Sequence, residues 1–253
     1  MDLNGKTYDF VGGLKDFQNQ NLRFVGNPVT RVQEDSLRIL RYLRFSAQLG
    51  WNTNLEHTLT MLQPYFHLQA NLSEERIWQE LKKMLRGTFF IKIFPYLQKY
   101  QPLLPINFHF IEGSTLNTLI TAYPAATAAQ RLYIAAKMPP HFCFSKKEWR
   151  ELKDLKAAIT KLKRYTPIQT AVITTQSATA AAMALHGMAK PQIDAFLSQS
   201  IPIFPLSGKD VLNLSIPPSP KVGHMLKEVQ TWWLNNNFPP KEKCLTRLES
   251  LLK

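Results

Sequence analysis

The sequence predicts a mainly α-helical protein built from many short helices, with a brief strand-and-loop segment at its N-terminus. Three observations lead there. From Arg31 onward apolar residues recur at helical spacing, as in Leu37, Leu40 and Leu43 to Ala47. Good helix starters stand ahead of apolar stripes, Ser73 before Glu74-Glu75 being the clearest. Turn signals of Gly and Asn crowd the first thirty residues, at Gly12-Gly13 and Gly26-Asn27-Pro28.

In chain order, the front reads as the end of a small sheet followed by a loop. A helix then runs from Arg31, carrying Asp35, Arg38 and Arg41 on a face away from the leucines. A second begins after Ser73, turns Ile77, Trp78, Leu81, Met84 and Leu85 inward, and stops near Gly87. Pro95, Pro102 and Pro105 are expected to break the chain into short helices. Helical texture resumes near Leu116, continues through the Ala-rich stretch 125–136, and returns over 145–164. Pro202, Pro205, Pro217, Pro218 and Pro220 mark an irregular connector before a last pair of helices. No internal repeat is present.

Composition limits the function. The chain has 253 residues, 45% of them hydrophobic, enough for one large core or a few small modules. No apolar run reaches the ~18 residues of a membrane span, and the start MDLNGKTYDF has no signal- or transit-peptide character. Two distant cysteines, Cys143 and Cys244, offer no metal-ligand spacing, so a reducing cytoplasm is the expected setting. The six histidines also lack ligand spacing, and no metal site is expected. The 31 Lys+Arg against 18 Asp+Glu leave a net +13, which points to a polyanionic partner, a nucleic acid ahead of an acidic membrane.

The chemistry concentrates between Tyr8 and Leu49. In Glu34-Asp35-Ser36-Leu37-Arg38, Asp35 and Arg38 sit three apart, a spacing that places both on one face of a continuous helix. A carboxylate only accepts hydrogen bonds and a guanidinium only donates them. Side by side they complement the donor–acceptor edge of cytosine or adenine. Uracil and guanine would present a carbonyl to Asp35 and an N–H to Arg38. Unpaired buried groups cost about 1–3 kcal/mol each, enough to reject the wrong base. Taken alone, such a pair is most often a surface salt bridge worth about 0–1 kcal/mol.

The neighbouring residues add a resemblance. Asp9, Gly12, Gly13 and Asp16, followed by Leu22-Arg23, match a D-x-x-G-G-x-x-D-L loop motif, with Phe10 and Phe17 as mild departures. Val25-Gly26-Asn27-Pro28 matches V-G-D-P with Asn for Asp. Glu34, Asp35 and Arg38 match E-D-x-x-R, and Leu40-Arg41 to Arg44-Phe45 match L-R-x-x-R-F. Residues 73–85 and 205–233 resemble a supporting helix and a P-L-x-G-x-D-L…P-G-P-x-x-G tail motif, with Ser219 for its middle glycine. Together these segments resemble the class II tRNA nucleotidyltransferases, the family of CCA-adding enzymes and poly(A) polymerases. The segment 88–200 resembles it only loosely.

The resemblance implies a neck, body and tail: a head remnant with a flexible loop at 1–30, a neck with the template helix at 31–90, a helical body at 91–200 and a helical tail at 201–253. It implies that Asp35 and Arg38 are the nucleobase template, supported by Glu34, Arg41 and Arg44. Asp9, Gly12, Gly13, Asp16 and Arg23 would form the flexible loop. It also implies tRNA, ATP and CTP as partners, with Mg²⁺ acting in the complete enzyme. The family's metal-binding G-S turn and D-x-D pair, and its triphosphate-binding R-R-D, have no counterpart here. The sequence is therefore expected to be a truncated enzyme that binds no cofactor and transfers no nucleotide by itself. A chain carrying the head would then be a further partner. Basic residues over 146–164, Lys153 and Lys156 among them, make either a solvated face or a tRNA backbone contact. Lys209 and Lys221, in the tail-like segment, are further RNA candidates. Other readings are a non-catalytic RNA-binding descendant of the family, and an in-trans subunit of a split CCA-adding enzyme or poly(A) polymerase.

Overall fold

The computed structural model describes residues 8–51, 53–100, 103–104, 109–110, 113–137, 142–214 and 216–252. Helices make about two thirds of it. In order they are α1 (Gly13–Gln18), α2 (Pro28–Glu34), α3 (Leu37–Leu49), α4 (Leu55–Leu62), a 3₁₀ segment (Gln63–Asn71), α5 (Glu74–Leu85), α6 (Phe90–Lys99) and α7 (Gly113–Ala122). Then come α8 (Ala128–Ala135), α9 (Lys146–Lys161), α10 (Pro167–Ile173), α11 (Gln176–Leu185), α12 (Lys190–Leu197), α13 (Gly208–Leu212), α14 (Pro220–Asn235) and α15 (Lys241–Ser250). The only β pairing among the described residues joins β1 (His109–Phe110) antiparallel to β2 (Ala136–Lys137). No helix among them is long and apolar enough to cross a membrane.

Three apolar clusters organise the helices. The first gathers α2 to α6 with α8, and its centre is α3 against α5. Ile39, Leu40 and Leu43 on α3 are fully buried, a contribution of about 5–9 kcal/mol at 1.5–3 kcal/mol for each side chain. On α5 the inward stripe Ile77, Trp78, Leu81, Met84 and Leu85 is buried as its spacing predicts, and Ser73 Oγ caps the helix by accepting from Arg76 N. The second cluster packs the alanine face of α11 onto α9, α10 and α12, and the third holds α13, α14 and α15 around Trp233. Trp232 lies beside it at partial exposure.

Polar side chains pin the seams. Arg131 on α8 is buried with no carboxylate partner among the described residues. Its Nη1 donates to Leu85 O at the end of α5 (2.6 Å), Nε to Ala126 O (3.1 Å) and Nη2 to Pro124 O. Glu148, in the capping box of α9, also accepts from Trp78 Nε1 (3.2 Å) and Lys82 Nζ (2.7 Å) of α5. Gln169 Nε2 of α10 donates to Leu234 O at the end of α14 (2.7 Å).

Several expectations require correction. The helix expected from Arg31 onward is two helices, because Asp35 takes extended dihedrals (φ −154°, ψ 104°) between them. Pro95 lies inside α6 instead of ending it. Burying Phe90, Ile93, Phe94 and Leu97 at about 1.5–3 kcal/mol each outweighs roughly 3 kcal/mol for an interior proline. Pro102 and Pro105 lie outside the described residues. The strand expected at the front finds no support in the described part of residues 1–30, where loop, α1 and the start of α2 are seen; residues 1–7 lie outside it.

Candidate functional site

The segment 22–25 lies across α3 and forms one wall of a cleft. Phe24 stacks on Tyr42 (centroids 5.2 Å apart), and Tyr42 Oη donates to Leu22 O or to Thr58 Oγ1, each at 3.3 Å. Burial pushes the Tyr42 phenol above its ordinary pKa. The cleft measures about 350 Å³. Arg23, Arg31, Arg38 and Arg41 line it with the rings of Phe24, Tyr42 and Phe45. Four guanidiniums beside three rings suit a ligand that is anionic at one end and planar at the other.

Two of these arginines are held by one acid. Glu34 Oε2 accepts from Arg38 Nη1 (2.5 Å) and Arg31 Nη1 (2.6 Å), and Arg38 Nη1 also donates to Arg31 O (2.9 Å). The hydrogen bond from Arg38, reinforced by the charge of Arg31, holds the Glu34 carboxyl below its usual range. Arg41 has no acidic partner among the described residues and is exposed. Arg44 points elsewhere. It sits 3.2 Å from Glu80 of α5, both nearly buried, and lies 4.2 Å over the ring of Phe45. The Arg44 Nε and Glu80 Oε2 atoms are too poorly aligned to count as hydrogen-bonded, so the contact is an ion pair.

Asp35 and Arg38 do not share a helix face, which corrects the expectation from their spacing. Asp35 lies outside both helices and caps α3, its Oδ1 accepting from Leu37 N (3.2 Å). Its partner is Arg76 on α5, whose Nη2 is 3.2 Å from Oδ1 and 3.4 Å from Oδ2. Arg38 lines the cleft and Asp35 does not. Both keep spare capacity: a carboxylate offers about four lone-pair sites and a guanidinium five N–H donors.

In the front loop every motif residue has a structural partner. The Asp9 carboxylate accepts from Val11 N (3.2 Å), Gly13 N (2.8 Å) and Leu14 N (2.8 Å), and the bonds from Leu14 and Gly13 lower its pKa. Gly12 stands at φ 79°, a backbone that a side chain would strain. Asp16 pairs with Arg23 Nε (2.8 Å) and accepts from Asn21 Nδ2 (3.0 Å), while Arg23 Nη2 donates to Val11 O (2.5 Å). Asn27, in the place of an Asp, caps α2 by accepting from Val29 N (2.9 Å) and Thr30 N (3.2 Å).

Lys153 and Lys156 are exposed one turn apart on α9, and Lys156 Nζ lies 5.2 Å from the Tyr133 ring centroid. Lys209 and Lys221 are exposed on α13 and in the first turn of α14, within the third cluster's helices. Two residues escaped the sequence reading: Arg76, which no local pattern connects to Asp35, and Arg31, whose spacing of three and seven from Glu34 and Arg38 was a usable signal. The described residues do not fit a Mg²⁺ pair, since no three His, Cys, Asp or Glu side chains converge among them.

Comparison with known proteins bears on what this cleft belongs to. No family model matches the chain. Over 94% of its length it is 26% identical to the mitochondrial CCA tRNA nucleotidyltransferase 1 of Mus musculus, and it covers 60% of that protein. Over 89 residues it is 42% identical to the CCA-adding enzyme of Bacillus pumilus, covering 22% of it. Its fold is similar to the Bacillus stearothermophilus CCA-adding enzyme solved in complex with CTP, with a TM-score of 0.63 at 20% identity over all of this chain and 70% of that one. The Thermotoga maritima CCA-adding enzyme complexed with tRNA gives 0.64 at 14% identity, over 97% of this chain and 67% of that one. At those identities the structures speak for the fold alone. The chain is thus similar over almost its whole length to CCA-adding tRNA nucleotidyltransferases, and it spans about 60% of the relatives it matches end to end.

Proposed function

We propose that this chain selects the incoming nucleotide and holds the tRNA in CCA addition, with Asp35 and Arg38 reading the base of CTP and then ATP. The observation that carries the reading is the arginine- and ring-lined cleft beside the E-D-x-x-R segment. Arg23, Arg31 and Arg41 meet the triphosphate, and a ring of the cleft packs against the base. Arg38 donates through its remaining N–H groups to N3 of cytosine or N1 of adenine. Asp35, held by Leu37 N and Arg76, accepts from the amino group with an unused lone pair. The metal-dependent transfer step belongs to a catalytic head. On this reading residues 31–90 are the neck, 91–200 the body and 201–253, which hold the third apolar cluster, the tail. Exposed lysines on α9, α13 and α14 follow the phosphate backbone of the tRNA.

The test supplies a family catalytic head, fused or as a separate chain, and measures the ratio of CTP to UTP incorporated into tRNA lacking its CCA end. Arg38→Ala and Asp35→Ala are each expected to lower that ratio. A ratio that both variants leave unchanged overturns the template assignment.

A further inference from the structure

Away from the nucleotide cleft, a second and larger cavity of about 450 Å³ opens where α10 and α12 meet the turn between α14 and α15. Its size falls within the range of about 300–1,000 Å³ common to sites for small molecules. The floor is apolar and partly aromatic, made by Met183, Met188, Phe196 and Phe238 among others. Among the described residues no charged side chain lines it. The polar side chains around it are the primary amides of Gln192, Gln199 and Asn237 and the hydroxyl of Thr166, which is already bonded to Gln169. Gln192 uses only its Oε1, which accepts from Ala189 N. The side-chain amides of Gln199 and Asn237 make no hydrogen bond among the described residues.

The backbone on one side of this cavity is unusual. Asn237 and Phe238 hold φ of 59° and 63° in succession, a left-handed conformation rare for a bulky residue. The turn is fixed there by Phe238 N donating to Trp233 O (3.0 Å), by Trp233 Nε1 donating to Pro239 O (2.9 Å), and by the Phe238 ring set edge-on to Trp233 at 4.9 Å. The strain sets both the Asn237 amide and the Phe238 ring on the cavity wall. Thr166, which also lines the cavity, follows the basic stretch 161–164 after Tyr165. Lys161 and Arg164 lie 5.4 and 5.7 Å from the Tyr165 ring centroid, with Lys163 between them in sequence. None of these three cations has an ion-pair partner among the described residues.

We infer that this cavity receives an unstacked base of the bound RNA, whose phosphates lie on Lys161, Lys163 and Arg164; the inference rests on the tRNA-holding reading above. A base brings a flat apolar face, which suits the Met and Phe floor, and a polar edge of mixed donors and acceptors. Primary amides offer both kinds of group and can pair with such an edge. A phosphate placed on that floor would be desolvated with no cation beside it, whereas three cations stand within five residues of Thr166 in sequence. Charge outside and amides inside thus match a nucleotide unit entered base first.

The test uses the whole chain with ¹³C-methyl methionine, so that Met183 and Met188 report on the cavity while Met84 and Met225 serve as internal controls. Overall tRNA affinity is measured separately by fluorescence anisotropy. The Met183 and Met188 methyl signals are expected to shift with tRNA and with adenosine 5′-monophosphate, and to stay in place with ribose 5-phosphate. Gln192→Ala with Gln199→Ala, both exposed positions, should weaken tRNA binding roughly tenfold without changing its salt dependence. Lys163→Glu with Arg164→Glu should lower the salt dependence itself. If tRNA binds while both methyl signals remain still, the inference is overturned and the holding role stands. If no tRNA binds at all, the holding role falls and takes the inference with it. Shifts with the monophosphate but not with bound tRNA make this a free-nucleotide site and also overturn the inference.

Discussion

Arg76 on α5 puts its Nη2 3.2 Å from Asp35 Oδ1 and 3.4 Å from Oδ2, spanning 41 positions of sequence to hold the acid that caps α3. The guanidinium is half exposed, and exposed ion pairs contribute only about 0–1 kcal/mol. Its value is positional. It fixes the direction of a carboxylate that stands outside both helices, where helical geometry cannot fix it.

Arg76→Ala should therefore change the unfolding free energy by less than about 1 kcal/mol yet lower the CTP-to-UTP incorporation ratio when a catalytic head is supplied. Arg76→Lys, with one charged nitrogen in place of a planar fork, should recover only part of the ratio. A ratio untouched by either change would mean that Leu37 N alone orients Asp35.

Arg131 supports the joint between α5 and α8. Arg131→Met leaves three carbonyls, those of Leu85, Ala126 and Pro124, without the donor they now share. Hydrogen bonds from charged groups are worth about 1.5–3 kcal/mol each, so a loss of roughly 3 kcal/mol or more is expected. A urea titration checks this by a lowered midpoint at unchanged slope. A midpoint equal to that of the wild type would show that water replaces the guanidinium at no cost.

The tail should be sensitive to acid. Asp210 of α13 accepts from Lys241 Nζ of α15 (2.7 Å) and from the N–H and Oγ–H of Ser207 (both 2.7 Å), and these contacts hold its carboxyl far below the usual range. A depressed folded pKa stabilises the fold above the unfolded value of about 3.9 and ceases to do so as pH falls through the folded one. Asp210→Asn should be less stable than the wild type at pH 7. The gap should narrow below about pH 5 and close in strong acid. Fluorescence of Trp232 and Trp233 across an acid titration measures it, and a gap independent of pH would exclude the carboxylate as its cause.

On α9, Lys153→Glu with Lys156→Glu should weaken tRNA binding across tRNA sequences. If each lysine meets one phosphate, the slope of log affinity against log salt should become shallower by about 2. An unchanged slope returns that face to solvent.

The legible parts of this molecule were those whose causes lie close in sequence. Ser73, the two glutamates and the stripe of α5 are local, and the helix lies where they place it. The break at Asp35 was also written locally, since an Asp ahead of an apolar run is an N-cap signal, but the strong periodicity on either side concealed it. Thr166-Pro167 with Gln169, and Thr175 ahead of an alanine run, are local start signals for α10 and α11 that the expectations above do not include. The burial of Arg44 against Glu80, and the reach of Arg76 to Asp35, depend on how α3 lies against α5. No spacing within either segment encodes that relation.

The linkage at Arg131 differs in kind from the others. Asp9, Asp16, Glu34 and Asp210 all fasten their surroundings through carboxylates whose pKa is lowered, and each loosens when protonated. Arg131 grips neutral carbonyls, which take up no proton in that range. The join between α5 and α8 is thus blind to pH, and its burial keeps it insensitive to screening by salt as well. Acid should loosen the carboxylate fastenings of the front loop and of α13–α15 while the α5–α8 join stays fastened.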